Sequence, residues 1–251
     1  MTNNLCAVIL AGGEGKRMMS DLPKTLSKVL DKPMLDWVIT SLKNAGIHNI
    51  CVVTGYKKEA IEEYLTTLPF EVSTVFQAER LGTGHAVMMA KDFLQQNGGE
   101  VVVLNGDAPF MDSQTIKSTL EYHSLHNSSA TVISANVSEP YGYGRIVRDF
   151  KTNSLRSIVE QKDASEDELK ITEVNSGAYC FNTTALLSVL DSIKANNKAC
   201  EYYLPDALKL LIEKGENVCA FTASSSDTVL GANDPAQLEE LNQIAKEKYS
   251  N

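Results

Sequence analysis

Leu5-Cys6-Ala7-Val8-Ile9-Leu10-Ala11-Gly12-Gly13-Glu14-Gly15-Lys16-Arg17 is the stretch on which the fold turns. An apolar run from Leu5 to Ala11, closed by two glycines, reads as a buried parallel strand ending in a loop that runs through Arg17 to Pro23. Beyond the loop, Leu35, Val38, Ile39, Leu42 and Ala45 recur at helical spacing and Gly46 closes that helix. A strand over Asn49 to Thr54, a helix over Lys57 to Leu65, a strand over Val72 to Phe76, a helix from His85 to about Gln95 and an apolar strand at Val101 to Leu104 continue the alternation. Such alternation implies an α/β fold with a mostly parallel central sheet covered on both faces. After a helix at Thr115 to His126 and a strand at Ala130 to Val137 come short extended pieces around Ile146, Ile158 and Ala178, which suggest a small strand-rich substrate lobe. Helices at Thr184 to Ala195, Leu204 to Lys214 and Gln237 to Lys248, with short strands at Val218 to Phe221 and Thr228 to Leu230, complete the pattern.

Composition sets bounds on function. With 43% hydrophobic and 22% charged residues the chain of 251 residues reads as a folded globular protein. A net charge of -9 argues against coating nucleic acid or anionic lipid, because both need a basic surface to release counterions. A polyanionic ligand must then be met by a few local cations. The five cysteines, Cys6, Cys51, Cys180, Cys200 and Cys219, are scattered and contain no Cys-x-x-Cys pair, so neither a disulfide framework nor a zinc site is expected. A reducing cytoplasm fits these thiols. The sequence also shows neither an export leader nor an apolar run able to span a bilayer.

The glycine-rich loop has look-alikes that fail. A dinucleotide fingerprint needs a third glycine where Met18 stands, and the second strand ends in Val53-Thr54-Gly55 without a ribose-binding acid. A P-loop needs glycine at Leu10 and Ser or Thr at Arg17. What remains is a glycine loop with Lys16 and Arg17, followed by Pro23-Lys24. This is either a tight turn with solvated cations or a cradle whose N–H groups and cations neutralise phosphate.

Two later segments bear on that choice. Gln77-Ala78-Glu79-Arg80-Leu81-Gly82-Thr83-Gly84-His85-Ala86 begins at a strand end; its glycines allow close approach to a flat ligand, and Gln77 offers the donor and acceptor that reading a pyrimidine edge requires. Asn105-Gly106-Asp107 follows the apolar strand directly, so Asp107 lies where open α/β sheets bind ligands, and an acid beside phosphates can hold Mg²⁺. His48, His85, His123 and His126 read as surface or capping residues, and Trp37 as packing.

The order of these segments resembles the pyrophosphorylase domain of the bacterial N-acetylglucosamine-1-phosphate uridylyltransferases, within the sugar-nucleotide pyrophosphorylases of the nucleotidyltransferase fold. The resemblance continues through Gly142-Tyr143-Gly144-Arg145-Ile146, Ile158-Val159-Glu160-Gln161-Lys162-Asp163-Ala164, Glu173-Val174-Asn175-Ser176-Gly177, Glu201-Tyr202-Tyr203 and Gly231-Ala232-Asn233. It implies a single nucleotidyltransferase domain of Rossmann-like fold over 1–251, with a nucleotide-binding part at about 1–137 and a sugar-binding part with the last helices at about 138–251. It implies Arg17 and Lys24 as catalytic cations, and Leu10, Ala11, Gly12, Gly13, Gln77, Gly82 and Thr83 as the nucleotide site. Gly144, Glu160, Asn175 and Tyr203 are implied on the sugar side, and Asp107 and Asn233 as ligands of Mg²⁺. The implied substrates are UTP and a sugar 1-phosphate, and the implied product is UDP-N-acetylglucosamine, a peptidoglycan precursor used in cell-wall biogenesis. The family's second half, a left-handed β-helix acetyltransferase, is not represented in this sequence, so neither acetyl transfer nor the trimer it builds is expected. Cys200, Pro205 and Lys16 stand where the family commonly has glycine, threonine and threonine; the first two bear on sugar choice. The rival readings are a nucleotidyltransferase for another sugar 1-phosphate and a catalytically silent sugar-nucleotide sensor.

Overall fold

The computed structural model describes residues 4–249. In chain order, β1 (Leu5–Ala11) is followed by the short pair β2 (Lys28–Val29) and β3 (Lys32–Pro33), α1 (Met34–Asn44), β4 (Asn49–Thr54), α2 (Lys58–Thr66) and β5 (Ser73–Phe76). Next come α3 (Thr83–Met89), α4 (Lys91–Asn97), β6 (Glu100–Asn105), α5 (Ser113–Leu125), β7 (Ala130–Asn136), β8 (Arg145–Arg148) and β9 (Leu155–Val159). β10 (Glu173–Asn182), α6 (Thr183–Leu190), α7 (Pro205–Glu213), β11 (Val218–Thr222) and α8 (Pro235–Tyr249) complete the described elements.

One sheet of nine strands organises them, in the order β11-β7-β10-β6-β1-β4-β5, with β8 joined to β10 and β9 to β8. β6, β1, β4 and β5 are mutually parallel, as are β7 and β11, whereas β10 runs antiparallel to both its neighbours. The expected mostly parallel α/β sheet is therefore present. Its strands lack polar alternation because both faces are covered. From β1, Cys6 and Val8 enter the core beneath α3, α4, α6 and α7, while Ala7, Ile9 and Ala11 enter the opposite core with α1, α2 and α5. Removing any one strand would expose both layers.

Local chemistry sets several boundaries. Asp112 caps α5 by accepting from Gln114 and Thr115 N–H, each at 2.9 Å, which starts the helix two residues before the expected position. The single helix expected from His85 to Gln95 is divided: Ala90 (φ −87°, ψ 9°) donates to Val87 O at 3.0 Å, and this tighter turn separates α3 from α4. The helix expected to reach Ala195 ends at Leu190, where Ser192 N–H turns back to Val189 O at 2.9 Å. The strand expected at Thr228 to Leu230 is replaced by a 3-10 turn over Ser226–Val229. Ser225 Oγ accepts from Asp227 N–H and Thr228 Oγ1 donates to Ser225 O there, local bonds that compete with an extended chain. Among the described residues no helix is long and apolar enough to cross a membrane, and all five cysteines are free thiols.

Candidate active site

The parallel strands end at one level, with Ala11 opposite Thr54 and Leu10 opposite Asn105, so the loops after β1, β4 and β6 converge. Open α/β sheets place ligands at such an edge. Leu10 O accepts from Gly106 N–H at 2.9 Å and Gly12 O from Tyr56 N–H at 3.1 Å, joining three loops through backbone alone. A Cβ at Gly55 would lie 2.7 Å from Gly12 Cα, and one at Gly12 would lie 2.9 Å from Gln77 Oε1, so each position is crowded by a different neighbour. Gly15 is left-handed at φ 62°, and a Cβ there would meet Lys24 Cβ at 2.7 Å; the basic loop folds back onto Lys24 at this point. Gly13 is exposed, as are Lys16 and Arg17; Lys16 and Arg80 both pair with Glu14, at 3.7 and 3.0 Å, whereas the ion pairs among the described residues do not include Arg17.

Lys24 Nζ forms an ion pair with Asp107 Oδ2 and donates to Asn233 Oδ1 at 3.0 Å. Asp107 follows β6, and Asn233 precedes α8, where Asn233 N–H donates to Gln237 Oε1 and Asp234 Oδ1 accepts from Gln237 N–H. Gly231 packs on the backbone of Asp107, since a Cβ there would lie 2.9 Å from Asp107 O. Three remote segments thus bring one ammonium, one carboxylate and one amide oxygen together. The ammonium shows that the two oxygens can share a single cation, and a carboxylate plus an amide oxygen is donor chemistry suited to Mg²⁺, which completes its shell with water and phosphate oxygens. Among the described residues no group of three His, Cys, Asp or Glu side chains could hold a metal, so a cation here needs those outside ligands.

Gln77 is only 5% exposed. Its N–H donates to Thr54 O at 2.8 Å, and its side-chain Nε2 lies 3.1 Å from Gly82 O and 3.0 Å from His85 Nδ1. The segment that follows is clamped to the Tyr202 region: Tyr202 N–H donates to Leu81 O at 2.8 Å, Gly84 N–H to Tyr202 O at 2.7 Å and Leu204 N–H to Thr83 Oγ1 at 3.0 Å. Gly82 has φ 107°, and a Cβ would meet Tyr202 O at 2.6 Å. The structure therefore gathers Leu10, Ala11, Gly12, Gln77, Gly82 and Thr83 around one sheet edge. Its glycines permit the contacts; its side chains supply little charge.

A second group surrounds Glu160. A Cβ on Gly144 would lie 3.0 Å from Glu160 Oε1, and Gly144 O accepts from Asn175 N–H at 2.8 Å. Asn175 uses its own amide internally, donating to Tyr179 Oη at 2.7 Å and accepting from Gly177 N–H at 2.9 Å. Burial raises the Glu160 carboxyl above its ordinary value, with Asp163, Asp206 and Glu201 adding repulsion and Arg145 partly offsetting it. The same environment pushes Tyr203 up to about 12, chiefly by burial and then by Glu201 and Glu160. Arg145 is buried and supports the loop, donating to Tyr143 O and, at 2.8 Å, to Gln161 Oε1, which also accepts from Gly142 N–H at 3.0 Å.

Sequence reasoning overlooked the tie between His85 and Gln77; the signal available was an imidazole in the first turn of a helix entered through Gly-Thr-Gly. The surface reading of His123 is corrected: it is 2% exposed against Thr131 Oγ1 at 2.8 Å, and burial lowers it to about 4. Trp37 packs, donating from Nε1 to Val29 O at 3.1 Å.

Comparison with known proteins finds relatives that match nearly the whole chain. The curated relatives include the "Bifunctional protein GlmU" of Acetivibrio thermocellus, 45% identical over 244 residues that cover 97% of this chain and 52% of that protein. The protein of the same name from Clostridium tetani is 42% identical over 98% of this chain and 53% of its own length. The chain spans about half the length of the curated relatives it matches. A solved structure of UDP-glucose pyrophosphorylase complexed with UDP-glucose superposes with a TM-score of 0.78, at 18% identity, covering 96% of this chain and 98% of that one; it shows the fold. The description of the nucleotidyl transferase family matches residues 6–230, nearly every segment that builds the site, and the chain belongs to that family.

Proposed function

We propose that this chain transfers the uridylyl group of UTP to N-acetylglucosamine 1-phosphate, giving UDP-N-acetylglucosamine and pyrophosphate. The observation that carries the reading is the meeting of Lys24, Asp107 and Asn233 beside the glycine-rich loop. In the reaction an oxygen of the sugar phosphate attacks the α-phosphorus of UTP, a bond forms between them, and the bond from the α-phosphorus to the oxygen bridging to the β-phosphorus breaks. Pyrophosphate leaves with that electron pair. The nucleophile is already anionic, so no general base is needed; alignment and charge neutralisation lower the barrier.

In this reading the backbone from Leu10 to Gly13 lines the triphosphate, and the exposed Arg17 stabilises departing pyrophosphate. Lys24 faces the reacting phosphates. Asp107 and Asn233 would hold Mg²⁺, which would supply charge screening for the phosphates. Gln77, Gly82 and Thr83 take the base, while Gly144, Glu160, Asn175 and Tyr203 take the sugar. The five free thiols suit a cytoplasmic enzyme, and the product serves cell-wall biogenesis. Pyrophosphate release, measured with Mg²⁺ across four nucleoside triphosphates and a panel of sugar 1-phosphates, tests the assignment. UTP with N-acetylglucosamine 1-phosphate is expected to be fastest. Another sugar phosphate turning over faster would reassign the acceptor, and binding without pyrophosphate would make the chain a sensor.

A further inference from the structure

The Gln77 amide is held by partners that leave it one orientation. Gly82 O can only accept, so the end of the amide 3.1 Å from it is the NH₂ group. The same nitrogen lies 3.0 Å from His85 Nδ1. Its second N–H therefore points at Nδ1, which must present a lone pair, and the imidazole proton resides on Nε2. Both amide hydrogens are then engaged inside the protein. Oε1 is turned the other way, toward the nucleotide loop: a Cβ on Gly12 would lie 2.9 Å from it. Gln77 is thus fixed with only its acceptor available at that loop.

We infer that His85 is a positioning residue which, with Gly82 O, locks Gln77 in its acceptor-outward orientation and so selects a base carrying an N3–H. This rests on the reading of Gln77 as the base-recognising residue. Uracil offers a donor at N3, complementary to Oε1. Cytosine offers a lone pair there, which Oε1 repels, and the amide cannot turn over to present its NH₂ without bringing Oε1 against Gly82 O and, in this tautomer, against the Nδ1 lone pair. Selectivity then arises largely from the penalty against the wrong base. Tyr202, whose ring lies 6.1 Å from that of His85, and the Gly84–Tyr202 backbone bond hold the first turn of α3 and hence the imidazole.

The test compares kcat/KM for UTP and CTP in the pyrophosphate-release assay, in wild type, His85→Phe, His85→Asn and Gln77→Ala. Phe removes the acceptor while keeping an aromatic ring; Asn can return an oxygen near the place of Nδ1. The UTP-to-CTP ratio is expected to fall about tenfold in His85→Phe, the scale of one lost hydrogen bond, and to recover in His85→Asn. A ratio unchanged in His85→Phe but lost in Gln77→Ala overturns the lock and leaves base reading by Gln77 standing. A ratio unchanged in Gln77→Ala overturns both. Long-range ¹H–¹⁵N spectra of the wild-type chain supply a measurement independent of variant folding and of activity: neutral His85 is expected as the Nε2–H tautomer, and the Nδ1–H tautomer overturns the lock.

Discussion

Lys24 and Asp107 meet as an ion pair although the basic loop and the end of β6 are far apart in the chain, and Asn233 accepts from the same ammonium at 3.0 Å. A cation thus sits between the two oxygens proposed to hold Mg²⁺. Mg²⁺ held by Asp107 and Asn233, as proposed, would draw on the same oxygens as Lys24 and would leave the ammonium for the phosphates.

Two opposite effects follow for Lys24→Ala. Turnover falls by roughly 10²-fold or more, the scale of a lost transition-state contact. Affinity for Mn²⁺ in the nucleotide-free protein, measured by electron paramagnetic resonance, rises because Asp107 and Asn233 lose their internal partner. Arg17→Ala shows the drop in turnover of roughly 10²-fold alone, with metal affinity unchanged. Near-normal turnover in both folded variants would remove the catalytic assignment.

Gly82→Ala forces a Cβ to within 2.6 Å of Tyr202 O at φ 107°. Separating the Leu81–Gly84 and Tyr202–Leu204 segments should cost about 2 kcal/mol of stability in chemical denaturation, from left-handed backbone strain and overpacking together. The KM for UTP should rise in parallel. A variant as stable as wild type would show that the clamp is not tight.

Glu160 titrates above the ordinary carboxylate range because it is buried among other acids. In its proposed role as the charged acceptor for sugar hydroxyls it would be lost when pH falls through that raised value, so the KM for the sugar phosphate should rise on going from about pH 8 to about pH 5. The phosphate also titrates in this interval, and Glu160→Gln supplies the reference. Its KM should be higher at neutral pH and should follow the phosphate alone; parallel profiles for the two proteins would refute the role.

His123 contributes a pH dependence to stability. Its folded value near 4 is below the unfolded value near 6.5, so the unfolded chain binds more protons between them and stability falls as pH drops through this window. The full effect is about 3 kcal/mol. Denaturation midpoints at pH 7 and pH 4 in wild type and His123→Gln check it: the variant should start less stable and lose less on acidification. Equal losses would assign the slope to other groups.

Much of this molecule was legible in order and pattern. The uncharged run from Leu5 to Ala11 is apolar on both faces because helices cover both, so periodicity alone distinguishes a doubly covered sheet from a half-exposed one. Gly55 and Gly82 mark close backbone approach, since a Cβ would lie 2.7 Å from Gly12 Cα at the first and 2.6 Å from Tyr202 O at the second. Sequence reading was less able to set boundaries that single hydrogen bonds decide, such as the division at Ala90 or the 3-10 turn at Ser226–Val229. It also placed Arg145 in a motif without its task, because a buried guanidinium is defined by the carbonyls it reaches.

By itself, then, the sequence determined the alternating architecture, the glycine-rich basic loop and the segments that meet at the ends of the parallel strands, because these depend on local periodicity and on the conformational freedom of glycine. Only the tertiary structure decided that Asp107 and Asn233 share the ammonium of Lys24, 209 residues before Asn233, and that the Gln77 amide nitrogen faces Gly82 O and His85 Nδ1. Both are matters of a few ångströms between side chains from different loops, and such distances are set by how the sheet edge packs.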